Sequence, residues 1–285
     1  MRHSILFRYI LIMRPKQWIK NLIIFFPAFF GGLILDFNLL KKLVCGFFLF
    51  SLISSVGYII NDIIDKEKDA RHPKKKYRAI ASGKINTKNA ALFATFLFLI
   101  GFLGSLFLNK YFLFIALIYL ANSLIYSVYL KRIPYLDMVI ISIGFGLRLY
   151  AGHILSNIKL SWWLIGLTLT VAVMLASGKR LEELEVSQSN EPFRDSLKKY
   201  KKNIVNFILI STAVLSVSIF GFYLHFKGGF DFLLFLDSSA LVFNYVYSVI
   251  KFKQGEPTDF FVKNRLNIFL LLLWVLLFFR KVYLF

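Results

Sequence analysis

The stretch LFSLISSVGYIINDIIDKEKD (residues 49–69) joins an apolar segment to a cluster of acidic residues. Its first twelve residues suit the interior of a lipid bilayer, and they are followed by Asn61, Asp62, Asp65 and Asp69. Residues three or four positions apart are neighbours on the surface of a helix, so the aspartates and the amide share one face. The stretch therefore predicts a membrane-spanning helix whose end carries a stripe of carboxylates.

The composition of the chain indicates an integral membrane protein. Of its 285 residues 58% are hydrophobic, whereas soluble globular domains have about 45–50%. Apolar stretches of around 20 residues, the length that crosses a bilayer as a helix, recur along the whole chain. The sequence predicts an all-α membrane protein with about nine transmembrane helices, at roughly 16–35, 39–61, 89–108, 111–129, 134–154, 161–178, 204–224, 230–250 and 266–284.

These stretches predict a single membrane domain over residues 1–285. The two longest loops, 62–88 and 179–203, follow the second and sixth stretches, and both begin with charged residues that continue a helix. This pattern suggests two four-helix halves and a ninth helix, at 16–129, 134–250 and 266–284.

The positive charges predict the orientation in the membrane. The loops that would lie on the side of the amino terminus hold 27 lysines and arginines, and the loops on the other side hold seven. Because basic loops stay in the cytoplasm, we expect the amino terminus and the polar site to face the cytoplasm, with the protein in the cell (inner) membrane. The net charge of +20 lies in these short loops, which favours lipid and phosphate groups over nucleic acid as partners.

The acidic stripe is a candidate magnesium site. Asn61, Asp62, Asp65 and Asp69 offer the hard oxygen ligands that Mg²⁺ prefers, and Mg²⁺ completes its shell with water and substrate phosphates. Polar groups at the hydrocarbon boundary are costly, so they are functional candidates. The alternative is a solvated helix end with ordinary ion pairs. We interpret the stripe as a Mg²⁺ site in which Asp62, Asp65 and Asp69 are the catalytic residues.

The loop after the stripe is strongly basic. Its sequence ARHPKKKYRAIASGK (residues 70–84) contains six lysines and arginines. A diphosphate that is bound through Mg²⁺ needs further cations for the rest of its charge. Arg78, directly before the turn-like AIASGK, is the predicted substrate-binding residue, whereas membrane orientation explains Lys74–Lys76.

Other polar residues lie in or beside apolar stretches. We predict that the following also bind substrate: Lys20, Tyr126, Lys131, Arg148, Lys179, Arg180 and Glu183. Lys20 and Arg148 either line a polar cavity or extend to the membrane interface. Tyr126 either closes the mouth of the site or anchors its helix at the interface. The residues Lys179, Arg180, Glu182 and Glu183 form either a second phosphate- or metal-binding lip or an exposed helix end.

The motif NDIIDKEKD (61–69), followed by a basic loop that ends in SGK, resembles the UbiA superfamily of membrane prenyltransferases. One branch of it, the decaprenyl-phosphate phosphoribosyltransferases, is similar in three further stretches, which are MRPKQWIKNLIIFFPAFFGG (13–32), YSVYLKRIPYLDMVIISIGFGLRLYAG (126–152) and SGKRLEEL (177–184). The resemblance covers about residues 13–203. It implies nine transmembrane helices in a UbiA-like bundle and two acidic cytoplasmic motifs that hold a Mg²⁺-bound diphosphate.

The resemblance also implies an activity. In this branch phosphoribosyl diphosphate is the donor, a polyprenyl phosphate is the acceptor, and Mg²⁺ is the cofactor. Asn61 and the three aspartates match the Mg²⁺-diphosphate motif, and the matching basic positions are Lys20, Arg78, Lys131, Arg148, Lys179 and Arg180. Enzymes with aromatic acceptors have paired aspartates in the second motif, where this chain has Lys179, Arg180, Glu182 and Glu183. That difference favours a donor with more negative charge.

Two other functions share part of the evidence. An enzyme that moves a prenyl chain from prenyl diphosphate to an aromatic acceptor has the same first motif. A transporter or lipid flippase would explain the helices and Arg148, but it would not need an acidic cluster beside a basic loop.

Overall fold

The computed structural model describes residues 5–71, 75–188, 197, 199–226, 229–257, 260 and 264–284. In this part of the chain there are helices and connecting turns and no strand, which confirms the all-α prediction. The chain folds into two compact units, one of Met1–Lys131 with Leu147–Lys159 and one of Arg132–Gly146 with Leu160–Phe285. That residues 1–285 form a single membrane domain with two four-helix halves stays a prediction.

The first unit is built around one long helix. Its elements are α1 (Ile5–Ile12), a 3₁₀ segment (Pro15–Phe25), α2 (Phe26–Phe30), α3 (Phe37–Ile64), α4 (Lys66–Arg71), α5 (Thr87–Leu108) and α6 (Lys110–Val128), with 3₁₀ turns at Lys75–Tyr77 and Leu130–Arg132. Helix α3 packs against α5, α6 and the 3₁₀ segment. Its side chains Phe50, Ile53 and Ile59 are fully buried in the apolar core of this unit.

The second unit contains the remaining helices. Helix α7 (Leu136–Ser156) begins in this unit and ends in the first one. It is followed by α8 (Trp162–Gln188), α9 (Lys202–Phe226), α10 (Phe232–Phe252), α11 (Arg265–Phe279) and a π-helical turn (Arg280–Leu284). Helix α8 packs along α9, and α10 packs against α9 and α11.

Eight helices in the described part of the chain are long and apolar enough to cross a membrane, namely α3 and α5 to α11. They correspond to eight of the nine stretches that the sequence predicts. The exception is the first stretch, 16–35, which forms the 3₁₀ segment Pro15–Phe25 and the short helix α2 instead of one α-helix. The count of nine spanning helices is therefore not confirmed.

The 3₁₀ segment is unusually long at eleven residues, because runs beyond three or four residues are uncommon. At about 2.0 Å per residue it extends roughly 22 Å, further than an α-helix of the same length. Two contacts hold it in place. The buried Asn21 amide donates to the Ser51 hydroxyl on α3 at 2.9 Å, and Gly152 of α7 lies so close that a Cβ atom there would be 2.1 Å from the Ile24 carbonyl oxygen.

Tight backbone contact also joins α8 to the loop after α10. A Cβ atom on Gly255 would lie 1.9 Å from the carbonyl oxygen of Gly178 on α8. The Tyr245 hydroxyl of α10 donates to the Gly255 carbonyl at 2.9 Å and contacts the Leu175 carbonyl at 3.2 Å. Glycine at positions 178 and 255 therefore allows this loop to lie directly on α8.

Two aspartates of α10 have opposite environments. Asp231 caps the helix, accepting the N–H of Leu234 at 3.0 Å and the guanidinium of Arg280 at 2.8 Å. Burial raises the pKa of Asp231, but these two bonds outweigh it, so the pKa is lowered. Asp237 is only 6% exposed, and neither of its carboxylate oxygens has a hydrogen-bond partner among the described residues.

Replacing Asp237 with leucine should therefore stabilise the protein. A buried polar group without a partner costs roughly 1–3 kcal/mol, so we expect the melting temperature of Asp237→Leu in detergent to rise. Asp231→Ala is the contrasting variant, and it should melt lower because a lost helix cap costs about 1 kcal/mol. A lower melting temperature for Asp237→Leu would show that the carboxyl group has a stabilising partner.

Candidate active site

The acidic stripe lies where α3 ends and α4 begins. Helix α3 stops at Ile64, Asp65 caps it with φ −89° and ψ 7°, and α4 starts at Lys66. The hydrogen bonds of the helix nevertheless continue, from Asp65 N–H to the Asn61 carbonyl at 2.9 Å and from Asp69 N–H to the Asp65 carbonyl at 2.8 Å. The predicted single helix is thus interrupted at Asp65, while the spacing of the stripe is kept.

Two of the aspartates share one arginine. Nη1 of Arg78 lies 2.9 Å from a carboxylate oxygen of Asp62 and 2.5 Å from one of Asp69. Arg14 forms a second ion pair with the same oxygen of Asp62. Asp62 and Asp69 are each only 4% exposed, and buried carboxylates of this kind require paired cations.

The third aspartate belongs to a separate pair. The ammonium group of Lys131 lies 2.7 Å from both carboxylate oxygens of Asp65 and 3.4 Å from the side-chain oxygen of Asn61. The structure therefore brings Arg78 and Lys131, both predicted from the sequence, to the acidic stripe. It arranges the stripe around two cationic centres and not around one.

This donor set fits a divalent ion that arrives together with phosphates. Within the described ranges, no three or more histidine, cysteine, aspartate and glutamate side chains are arranged to hold a metal ion by themselves. The oxygens instead form two pairs, Asp62 with Asp69 and Asn61 with Asp65, and each pair points at one cationic nitrogen. Mg²⁺ usually takes only one or two carboxylates and fills its shell with water and phosphate oxygens. Either pair offers that number of ligands.

Arg14 is a site residue that the sequence analysis did not select. It has left-handed backbone angles, φ 54° and ψ 60°, directly before Pro15 at the start of the 3₁₀ segment. Its guanidinium carbon lies 5.6 Å from the centre of the Tyr58 ring, a distance at which cation and ring attract each other. No signal in the sequence indicated this conformation, because a proline usually keeps the residue before it extended, whereas Arg14 is left-handed.

Arg148 lies in the interior of the first unit and does not extend outward. It is buried, and it donates to the Asn21 side-chain oxygen at 2.7 Å and to the Tyr119 hydroxyl at 2.7 Å. Its guanidinium also lies 4.4 Å from the centre of the Tyr119 ring. Tyr119 in turn interacts with Tyr58. Polar and aromatic contacts therefore connect Arg14 at the acidic stripe with Arg148 inside the unit.

Two other residues that the sequence predicts to bind substrate also belong to the first unit. Lys20 lies on the 3₁₀ segment next to Asn21, and Tyr126 lies near the end of α6. Both side chains are half-buried. Their assignment to substrate binding stays a prediction.

In the second unit Arg180 is enclosed by protein groups. Its guanidinium donates to Asp137 at 2.7 Å and to Glu183, and its side chain is only 3% exposed. The Tyr200 hydroxyl donates to the other oxygen of Asp137 and accepts the backbone N–H of Tyr135 at 3.1 Å. Burial, followed by the bond to Asp137, raises the pKa of Tyr200, so this phenol remains a donor. The pairing of Asp137 with Arg180 was not predicted from the sequence.

Lys179 and Glu182 make contacts with the loop after α10. Lys179 forms an ion pair with Glu256 at 2.6 Å, and Glu182 accepts the backbone N–H of Gly255 at 3.0 Å. The charged start of the second large loop is thus internally paired. The roles of Lys179, Arg180 and Glu183 in substrate binding stay predictions.

Comparison with known proteins identifies the family. The model of the UbiA prenyltransferase family matches residues 24–273. The decaprenyl-phosphate phosphoribosyltransferase of Mycobacterium tuberculosis (strain H37Rv) is 28% identical over 272 residues, which cover 92% of this chain and 90% of that protein. An uncharacterized protein, y4nM, of Sinorhizobium fredii is 39% identical over 178 residues, 62% of this chain and 34% of that protein, so this chain spans about a third of the length of that relative. A 4-hydroxybenzoate octaprenyltransferase of Haemophilus ducreyi is 24% identical over 66% of this chain and 69% of its own length.

Solved structures agree on the fold. A UbiA homolog from Archaeoglobus fulgidus, bound to DMAPP and Mg²⁺, superposes with a TM-score of 0.72 over 96% of this chain and 97% of that one. The identity is 15%, so the likeness concerns the fold. It confirms the predicted UbiA-like helical bundle.

The pair of Asp137 and Arg180 yields a prediction about stability. Asp137→Ala should lower the melting temperature strongly, because loss of one partner of a buried ion pair costs about 3–5 kcal/mol. Glu183→Gln, at the more exposed partner of the same arginine, should have a smaller effect. The measurement is thermal unfolding in detergent, and equal losses in the two variants would contradict the assignment of Asp137 as the main partner.

Proposed function

The chain belongs to the UbiA prenyltransferase family, and from this premise we propose that it transfers the phosphoribosyl group from phosphoribosyl diphosphate to a polyprenyl phosphate. Diphosphate is the second product. The observation that carries the proposal is the cluster of three basic side chains around the three aspartates at the end of α3 and on α4. The relative from M. tuberculosis, which is named for this activity and matches nearly the whole chain, supports it.

The proposed cofactor is Mg²⁺. Asn61, Asp62, Asp65 and Asp69 would hold the ion together with the diphosphate of the donor. Bound Mg²⁺ would stabilise the negative charge that develops on the leaving diphosphate. The UbiA homolog from A. fulgidus that was determined with DMAPP and Mg²⁺ supports the use of a divalent ion in this fold.

The basic residues of the cluster would bind the rest of the diphosphate. Arg14, Arg78 and Lys131 carry the hydrogen-bond donors that phosphate oxygens need, and each already lies beside an aspartate. In the reaction an oxygen of the lipid phosphate forms a bond to ribose C1, and the bond from C1 to the diphosphate breaks with its electron pair on the diphosphate. The attacking phosphate is already ionised at neutral pH, so the reaction needs no general base.

Arg148 is assigned to the inner part of the same site. The polar and aromatic contacts that lead from Arg14 through Tyr58 and Tyr119 to Arg148 support this assignment. An arginine in the interior of a membrane protein is costly unless it is paired or binds a ligand, and such residues usually have a function. We propose that it contributes to binding of an anionic substrate group.

Transfer of a prenyl chain to an aromatic acceptor is the second candidate. The 4-hydroxybenzoate octaprenyltransferase of H. ducreyi supports it, since that relative matches two thirds of the chain. The residues Lys179, Arg180, Glu182 and Glu183 argue against it, because they stand where paired aspartates are expected in enzymes with aromatic acceptors.

The proposed location is the cell (inner) membrane with the site and the amino terminus in the cytoplasm. The eight apolar helices and the family show a multi-pass membrane protein. The excess of basic residues on one side supports the orientation. Phosphoribosyl diphosphate is a water-soluble, highly charged donor, which is consistent with a site that opens to the cytoplasm.

A direct assay should distinguish the two activities. Purified protein in liposomes is incubated with Mg²⁺, labelled phosphoribosyl diphosphate and a polyprenyl phosphate, and we expect label in the organic phase. In a parallel reaction with prenyl diphosphate and 4-hydroxybenzoate we expect no prenylated product. The reverse result would replace the proposed function with the second candidate.

Replacing an aspartate of the acidic stripe with the uncharged asparagine should strongly lower the rate of phosphoribosyl transfer. Asp62→Asn and Asp65→Asn each remove a negative charge that the metal needs, so we expect at least a hundredfold loss, about 3 kcal/mol of transition-state stabilisation. Asp36→Asn is the matched control, because Asp36 caps the opposite end of α3 through the N–H groups of Asn38 and Leu39, and asparagine caps equally well. Full turnover in both stripe variants would refute the metal-binding role.

A further inference from the structure

The acidic stripe and its basic partners carry balanced charges. Three carboxylates, those of Asp62, Asp65 and Asp69, are paired with three cationic side chains. Two of the carboxylates are buried, and all three are held by hydrogen bonds from charged donors. Within the cluster the three negative charges therefore balance the three positive charges.

Because the charges balance, neither the divalent cation nor the diphosphate should bind well to the cluster by itself. A divalent cation that enters by itself must compete with three cations of the protein and leaves them without partners close to its own charge. A diphosphate that enters by itself places several negative charges beside three carboxylates. When both enter together, the metal replaces the cations at the carboxylates, and the displaced cations find new partners in the phosphate oxygens.

From this we infer that Arg14, Arg78 and Lys131 exclude a metal ion that arrives alone, so that metal and diphosphate bind only together. The inference rests on the proposed function and adds a rule for the order of binding. The three basic residues then have two roles. They neutralise the carboxylates before the donor binds, and they bind phosphate oxygens when the donor is present. Their ion pairs with the aspartates would also prevent the stripe from binding Mg²⁺ in the absence of substrate.

Arg14 is the most informative member of this set. It shares an oxygen of the buried Asp62 with Arg78, so its removal leaves Asp62 and Asp69 still held by one arginine. Its side chain is also partly exposed, so it can change partners without unfolding of its surroundings.

The first measurement uses the metal alone. Protein in liposomes is titrated with Mn²⁺, and the free ion is followed by electron paramagnetic resonance. We expect weak binding by the native protein and binding by Arg14→Gln that is tighter by roughly tenfold to a hundredfold, the range that corresponds to one hydrogen bond between charged groups. Arg14→Lys, which keeps the charge, should bind Mn²⁺ as weakly as the native protein.

The second measurement adds diphosphate. Labelled inorganic diphosphate should be retained weakly by the sedimented liposomes of the native protein without Mn²⁺, and its affinity should rise by roughly 5- to 150-fold when the metal is present. Arg14→Gln should weaken this retention. Arg14→Gln should thus raise the affinity for Mn²⁺ alone and lower the affinity for diphosphate with Mn²⁺. If the substitution only disordered the Asp62 side chain, both affinities would fall.

The control is Arg280→Gln, which removes an arginine that is paired with Asp231 at the start of α10, and it should change neither measurement. Equal affinity for Mn²⁺ alone in the native protein and in Arg14→Gln would overturn the inference. Tight binding of Mn²⁺ to the native protein without diphosphate would also overturn it, but would leave the metal role intact. Failure to bind metal or diphosphate under any condition would overturn the proposed function itself.

Discussion

The arrangement of the first unit depends on the neutralisation of aspartates that lie at the end of a long apolar helix. Asp62 and Asp69 are buried, and a buried carboxylate is stable only with a cation within hydrogen-bond distance. The lysines of α3, Lys41 and Lys42, lie near its opposite end, so the partners come from elsewhere in the chain. Arg14 comes from the start of the 3₁₀ segment, Arg78 from the loop after α4, and Lys131 from the turn after α6. The charge of one short motif thus fixes three distant segments.

The acidic stripe and most of the helices could be predicted from the sequence, because their signals lie in short stretches of the chain. The spacing of the aspartates survives the interruption at Asp65, since the hydrogen bonds of the helix continue through it. The position of Arg78 just before a turn was also enough to select it. The stripe, its basic loop and eight of the helices can therefore be predicted from periodicity and charge, whereas the resemblance to the family rests on sequence motifs.

What the sequence did not reveal depends on contacts between residues far apart in the chain. Arg14 and Asp62 are separated by 48 positions, and Asp137 and Arg180 by 43, so no local pattern connects them. The 3₁₀ form of the first apolar stretch has a similar origin. Its composition suits an α-helix, and only the hydrogen bond of Asn21 and the close approach of Gly152 show how tightly that segment is held.

The acidic stripe and the charged segment Lys179–Glu183 differ in whether their basic side chains can exchange partners. Arg78 is 30% exposed in its ion pairs, whereas Arg180 is 3% exposed and is surrounded by Asp137, Glu183 and the Tyr200 hydroxyl pointing at the same carboxylate. A cation that must move to a phosphate needs access to solvent, and of the two arginines only Arg78 has it. Lys179 with Glu256 is the exposed pair of the second motif. Within that motif, Lys179 is therefore better suited than Arg180 to contact a ligand, and Arg180 is better suited to hold α7 and α8 together.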